Sequence, residues 1–402
     1  MITKLTIESF KSLEKVTVEL GHINVFIGAN GSGKSNLLEG LGILSAAANG
    51  KVTDQDLLQR GVRPGVPALY KSAFPMPPAA DGSQRMPSHI FFAAGNTQAE
   101  YQVSLNNPLR DPRPAWRYKH ELWERGSRRL VGRSPNLRPL PNPEQGLAAL
   151  LAVKLSPDDP ALRLLKELQG YVIFSPSTGV LRGIAPETQP RNPVGLSGGQ
   201  LPLAIQQTLH ARSKSPHVNK VCQEALSLID WAKSYGWAPA GSIPLSPAAA
   251  GSPNVIRFTD RYMIKDRNIL SGYDASEGAL YVLFLAVLAA HEQSPTLCAV
   301  DNADHGLNPR LACSLMKKLC GWYLESPQPK QLLLTTHNPL VLDGLPLQDE
   351  RVRLFTVSRT ETGRTSVRRV TIDESLVKKA QDGWTLSRLW VMGHLGGGVP
   401  NV

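Results

Sequence analysis

Apolar residues recur at strand spacing from the first turn of the chain. Ile2, Leu5, Ile7 and Phe10 mark an N-terminal β-region, and Val16, Val18 and Leu20 alternate as a second strand. Residues 23–27 (INVFI) are short and mostly apolar, the pattern of a strand at the centre of a sheet covered on both faces. A glycine-rich turn follows. Residues 35–48 then read as a helix, with Leu37, Leu38, Leu41 and Leu44 on one face.

The middle of the chain is more broken. Residues 64–87 are rich in Pro, Gly and Ala and read as loop. Residues 90–93, 101–105, 116–122 and 129–131 read as antiparallel strands, followed by a proline-punctuated connection over 135–143. Residues 146–170 are helical apart from a break at 156–160, where Ser-Pro-Asp-Asp-Pro supplies a stop and a new N-cap. A strand is expected over 171–174, and helices over 201–211 and 219–235. Loop is expected over 239–253, and a hairpin from 255–258 and 262–265. The last third is clearer: an apolar helix over 276–291, a buried strand over 297–300, a helix over 309–323 and another buried strand over 331–335. A final hairpin, 353–357 with 366–370, turns at Thr362 and Gly363. The pattern predicts four segments: an N-terminal lobe over 1–145, an insertion over 146–270, a C-terminal lobe over 271–345, and a tail over 346–402. No heptad run or internal repeat is visible.

Composition narrows the class. The 402 residues carry a formal charge of +11, which favours partners with phosphate backbones. Arg110, Arg113, Arg117, Arg125, Arg128, Arg129, Arg133 and Arg138 are interleaved with Trp116, Tyr118 and Trp123. Arginines and aromatics on strands could grip a nucleic-acid backbone and stack bases, or the aromatics could pack inward. Cys222, Cys298, Cys313 and Cys320 form no C-x-x-C pair, which argues against a zinc ribbon and suits reduced thiols in a cytoplasmic protein. No secretory signal is visible, and the longest apolar stretch, 279–290, is too short to span a membrane.

The chemistry sits at strand ends. Gly28, Ala29, Asn30, Gly31, Ser32, Gly33, Lys34 and Ser35 fit G-x-x-x-x-G-K-[ST] between a buried strand and a helix. Such a loop turns backbone N–H groups onto the phosphates of ATP, with Lys34 on the β- and γ-phosphates and Ser35 on Mg2+. Four apolar residues run into Asp301, placed to hold Mg2+ at another strand end. A third apolar strand runs through Thr335 and Thr336 to His337, a candidate γ-phosphate contact.

In this order the motifs resemble the ABC-type ATPases related to SMC, RecF and OLD proteins, in particular the stand-alone prokaryotic AAA-family ATPases. The resemblance begins at residues 2–13, which are similar to the family's opening strand and F-K-S turn. It continues through the phosphate loop to Asn36, the segment 274–280, residues 301–309, residues 335–343 and the tail 386–390. It implies an α/β P-loop fold of SMC-head type: a mixed sheet with an antiparallel β-subdomain and helical insertions. It also implies a head-to-tail, ATP-dependent dimer, with Ser276 and Gly278 meeting the nucleotide of the partner subunit and residues 307–309 crossing the interface. His337 resembles the switch histidine. Leu196, Ser197, Gly198, Gly199 and Gln200 spell the transporter-type signature, but they lie far upstream of Asp301, and chance is the better reading.

One departure bears on catalysis. Asn302 stands where the family has the glutamate that polarises the attacking water, and an amide cannot accept a proton. Asp304 is a substitute candidate and His305 a weaker one, read as surface. The Q-loop glutamine stays open among Gln59, Gln98 and Gln102. The tail is too short for the Toprim nuclease that OLD relatives carry, so a separate nuclease or Toprim-like effector is implied, as in anti-phage systems such as Septu and PARIS. The alternatives are a DNA-repair or chromosome-type ATPase clamping DNA, and a structural subunit that binds ATP with little turnover.

Overall fold

In β1 (Lys4–Phe10) burial falls on Leu5, Ile7 and Phe10, and in β2 (Leu13–Glu19) on Leu13, Val16 and Val18, as alternation predicts. β3 (Ile23–Ile27) is buried at every position. It delivers the chain into α1 (Lys34–Ala48), followed by the short helices α2 (Asp54–Leu58) and α3 (Pro67–Tyr70). The computed structural model describes residues 1–74, 89–134, 141–247, 253–372 and 383–395; parts of the expected loops at 64–87, 135–143 and 239–253, and Arg138, lie outside these.

Four strands follow: β4 (Ile90–Gly95), β5 (Ala99–Asn106), β6 (Arg117–Arg125) and β7 (Arg128–Arg133). With β1 and β2 they form an antiparallel sheet in the order β2-β1-β4-β5-β6-β7. Next come α4 (Leu147–Ala152) and α5 (Pro160–Gly170). The predicted break between them is capped as expected: the Asp159 carboxylate accepts from Ala161 N at 2.9 Å and also pairs with Arg125 at 2.6 Å.

β8 (Val172–Phe174), α6 (Thr178–Leu181), α7 (Leu201–Ala211) and α8 (Pro216–Ser227) lead into β9 (Ala232–Pro239), β10 (Asn254–Asp260) and β11 (Ile269–Ser271). Two expectations are corrected here. The helix expected over 219–235 runs over 216–227, opened by Ser215, whose hydroxyl accepts from Val218 N at 3.3 Å. Beyond it the aromatic run Trp231, Tyr235 and Trp237 favours strand, and Trp231 packs on Phe258 of β10. The second arm of the expected hairpin is β11 rather than 262–265. Those residues form a turn, with Asp260 Oδ1 accepting from Tyr262 N (2.7 Å) and Met263 N (2.9 Å).

The remaining elements are α9 (Glu277–Ala290), β12 (Leu297–Val300), α10 (Pro309–Leu324), β13 (Gln331–Thr336), β14 (Val352–Arg359), β15 (Thr365–Val370) and α11 (Leu386–Val391). The core sheet has the order β15-β14-β3-β13-β12-β8. Its middle strands are parallel, from β14 through β3, β13 and β12 to β8, and β15 alone is antiparallel to its neighbour. Alternation splits this sheet between two cores. Val25, Leu334 and Val300 face α9, whereas Phe26, Leu333 and Ala299 face α1. α9 is buried almost all round, so it shows no amphipathic stripe.

Gln331 ties the chain's start to the sheet. Its buried amide accepts from Ile2 N at 3.1 Å and donates to the carbonyls of Ile2 and Gly21, both at 2.7 Å. Gln331→Leu strands those groups and is expected to cost roughly 2–4 kcal/mol, read as a lower urea midpoint with unchanged slope.

Candidate functional site

Parallel pairing brings several strand ends to one edge. Val300 is level with Leu334 and Phe174, and Thr336 with Ile27, so the residues after β3, β12, β13 and β8 emerge together. This edge carries the phosphate loop, Asp301 and His337. Gly28 has no room for a side chain, because a Cβ there would lie 2.1 Å from the Val357 carbonyl of β14. Gly33 sits at φ 110°, and a Cβ would lie 2.2 Å from Thr365 Oγ1. The loop is held from outside by the C-terminal hairpin: Thr365 Oγ1 donates to Ser32 O at 2.8 Å and Arg359 Nε to Gly31 O at 2.9 Å. Asn36 reaches the same cluster, donating to Ser12 Oγ at 2.8 Å. Nothing in the sequence pattern announces Thr365 or Arg359, which lie over 300 residues away.

Lys34 is buried and turned back on its own loop, donating to Gly28 O (2.7 Å) and Ala29 O (3.0 Å). Burial lowers its pKa, while the charges of Asp301 and Asp304 pull it back up. An anion among the loop amides would supply the partner that these carbonyls now provide. Ser35 Oγ lies 2.9 and 3.1 Å from the two carboxylate oxygens of Asp301, and Thr335 also donates to that carboxylate. A hydroxyl beside a carboxylate is the sparse oxygen set that suits Mg2+, which keeps waters and takes its other ligands from nucleotide phosphates.

The residues after Asp301 are unusually placed. Asn302 has φ 54°, a left-handed conformation that asparagine tolerates better than most residues, and its N–H donates to Thr335 Oγ1 at 2.8 Å. Its side chain is exposed. Asp304 is buried, with Oδ2 3.5 Å from His337 Nδ1 and Oδ1 without any partner. A buried carboxylate oxygen left unpaired is costly unless something joins it, and this one lies within electrostatic reach of Lys34. His305 is exposed, as expected, but it stacks on Tyr281 and accepts or donates at its hydroxyl at 3.1 Å.

Ser276 and Gly278 open α9. Ser276 is exposed and its side chain makes no cap, so the first amides of the helix carry no side-chain acceptor. Gly278 packs under Leu311, where a Cβ would stand 3.0 Å away, and both border a groove with Gly306, Asn308 and Arg310. The transporter-like segment is otherwise engaged: Ser197 N and Gly199 N donate to Glu187 Oε2 at 2.9 and 3.1 Å, so a carboxylate of this chain occupies that nest. Of the three candidate glutamines, Gln59 ends α2, Gln98 turns between β4 and β5, and Gln102 is paired within β5.

In the arginine-rich segment the aromatics take the inward-packing alternative. Trp116, Tyr118 and Trp123 are all buried, so they cannot stack bases. Arg133 is buried as well, donating to Asn142 O at 2.9 Å and lying 3.7 Å from Glu121. Among the described residues no three His, Cys, Asp or Glu side chains converge as a metal set, and no helix is long and apolar enough to cross a membrane. Burial raises the thiols of Cys298 and Cys320 to about 11 and about 12, which disfavours the thiolate.

Residues 1–70, which include the phosphate loop, match the family model described as "AAA ATPase domain". Residues 252–343, from β10 past His337, match that described as "AAA domain, putative AbiEii toxin, Type IV TA system". No curated protein matches the chain. Among solved structures, an SMC head bound to the C-terminal winged-helix domain of ScpA is 14% identical, with 94% of this chain and 99% of that chain covered, at a TM-score of 0.52. The SMC head of Thermotoga maritima (14% identity, 92% and 99% covered) has a TM-score of 0.45. That of Pyrococcus furiosus, with an extended coiled coil and bound to the C-terminal domain of ScpA (11%, 95% and 99%), has 0.48. Two segments of the chain thus match AAA-family ATPase models, and the fold is that of a P-loop NTPase of SMC-head type.

Proposed function

We propose that the protein is an ATP-held switch: it binds ATP and Mg2+ at the shared strand edge, dimerises on the nucleotide, hydrolyses it slowly, and controls a separate effector. The observation that carries this reading is the pairing of a complete phosphate loop and Asp301 with an asparagine at 302. The loop amides and Lys34 bind the phosphates, and Ser35 with Asp301 holds Mg2+, which would neutralise charge on the transferring phosphoryl group. Asn302 can orient a water but cannot take its proton. The Asp304–His337 pair is the nearest substitute, with an unpaired carboxylate oxygen to receive the water's hydrogen.

The exposed, side-chain-uncapped start of α9 supports the dimeric part of the reading, since free N–H groups there attract the phosphates of a nucleotide held by a second copy. A nuclease or Toprim-like effector in prokaryotic anti-phage defence is the context that the family resemblance favours. The DNA-clamp alternative loses base stacking by the arginine segment, because Trp116, Tyr118 and Trp123 are buried, and keeps the exposed Arg110, Arg113, Arg128 and Arg129 as phosphate contacts.

Wild-type turnover is expected to be slow, absent in Lys34→Ala, and raised about 10-fold or more in Asn302→Glu despite roughly 1 kcal/mol of backbone strain at the left-handed position. Asp304→Asn should lower the residual wild-type rate by about 10–100-fold. Steady-state phosphate release checks all four, with light scattering to follow the mass on adding ATP. Brisk wild-type turnover unchanged by Asn302→Glu would sink the switch reading. Separately, Thr335→Val removes the hydroxyl that bonds both Asp301 and Asn302 N, and should weaken Mg2+ dependence of ATP binding by about 10-fold in a titration of Mg2+.

A further inference from the structure

A second pocket lies between the C-terminal ends of α7 and α9, the start of α8, and the connection that leads into β13. It holds about 470 Å³, the size of a small-molecule site. Nitrogen side chains dominate its walls: His210, Lys214, His217, His291 and Lys330 stand against one carboxylate, Glu292. A second nearby carboxylate, Glu325, is taken by Lys220 at 2.6 Å.

Several of these groups have unused hydrogen-bonding capacity. Lys330 is 3% exposed, and its ammonium donates to Ala289 O and His291 O, both at 3.0 Å, where it caps the end of α9. Two of its three N–H groups are thereby used, and the third has no protein acceptor among the described residues. His217 Nε2 is buried and unpartnered. His291 Nε2 is bonded to Gln207 at 2.9 Å, which fixes that wall. Burial lowers Lys330 to about 8 and pushes the His217 and His291 imidazoles down as well, with Glu292 the carboxylate on the wall. The first turn of α8 adds the positive end of a 12-residue helix. The imidazoles do not converge as a metal set. An anion can accept from Lys214, from the unused N–H of Lys330 and from His217 at Nε2.

We propose that this pocket binds a small phosphate- or carboxylate-bearing ligand, through Lys214, His217 and Lys330. Its position gives the site a use. α9 and β13 both begin or end at the pocket and reach the nucleotide edge at their other ends, α9 at Ser276 about 20 Å away and β13 at Thr335. A ligand here would press on the remote ends of the two elements that carry nucleotide-site residues, which is where a sensor's effector would act. The binding itself does not rest on the ATP reading.

The test is hydrogen–deuterium exchange on full-length Lys34→Ala, whose phosphate loop is disabled, with pyrophosphate or citrate as probe at up to about 10 mM. Pyrophosphate stands for the phosphate source and citrate for the carboxylate source. One of them is expected to protect peptides over 207–218 and 326–330. Adding Lys214→Ala and His217→Ala, both away from the packed core, should weaken that protection about 10-fold or more in concentration. Protection by neither probe, or protection that survives the added substitutions undiminished, overturns the proposal. Melting temperature without probe, unchanged by the two substitutions, shows that the loss is one of binding and not of fold.

Discussion

The carboxylate of Asp301, gripped by the hydroxyls of Ser35 and Thr335, is the contact on which the arrangement of the site turns. Ser35 belongs to the first turn of α1, Asp301 follows β12, and Thr335 lies in β13, so a single charge fastens a helix and two strands that are far apart in sequence. A buried or half-buried carboxylate is costly without donors. Here the donors are hydroxyls, which hold the charge without neutralising it and leave it available to a cation. The same Thr335 hydroxyl accepts from Asn302 N, and so fixes the residue at which hydrolysis would be decided.

That contact is possible because the sheet is parallel through its middle and delivers β3, β12 and β13 to one edge in register. The C-terminal hairpin completes it. β14 lies beside β3 so closely that position 28 must be glycine, and β15 places Thr365 against Gly33 and Ser32. The tail of the chain is therefore part of the wall of the phosphate loop. α11 extends the same logic at a distance: Ser387 N and Oγ both donate to the Asp343 carboxylate, at 2.9 and 2.6 Å, in the turn that follows His337.

Much of this was legible in the residues. Strand β3, the loop and α1 follow from an apolar run, a glycine-rich turn and a leucine face, all local signals. β12 and β13 are likewise short apolar runs ending in polar residues. The misread stretch, 219–235, fails for a physical reason: its first half carries helix-forming spacing and its second half aromatics that only pay off when paired with β10. The contacts that shape the site were invisible for a different reason. Thr335, Thr365 and Arg359 act through pairing over long sequence separations, and the left-handed backbone at Asn302 is a conformation that no composition rule reveals. Glu187 in the nest at Ser197 and Gly199 is of the same kind, since the sequence shows the nest but not its occupant.

We propose Asp301 as the anchor of an ATP·Mg2+ site. The measurement that tests it most directly is equilibrium binding of ATP with and without Mg2+, to wild type and to Asp301→Asn. Mg2+ is expected to tighten ATP binding to the wild type by about 10-fold or more and to have little effect on the variant, which keeps its loop-dependent affinity for the nucleotide. Equal Mg2+ dependence in the two proteins would contradict it, and would mean that the cation is held elsewhere.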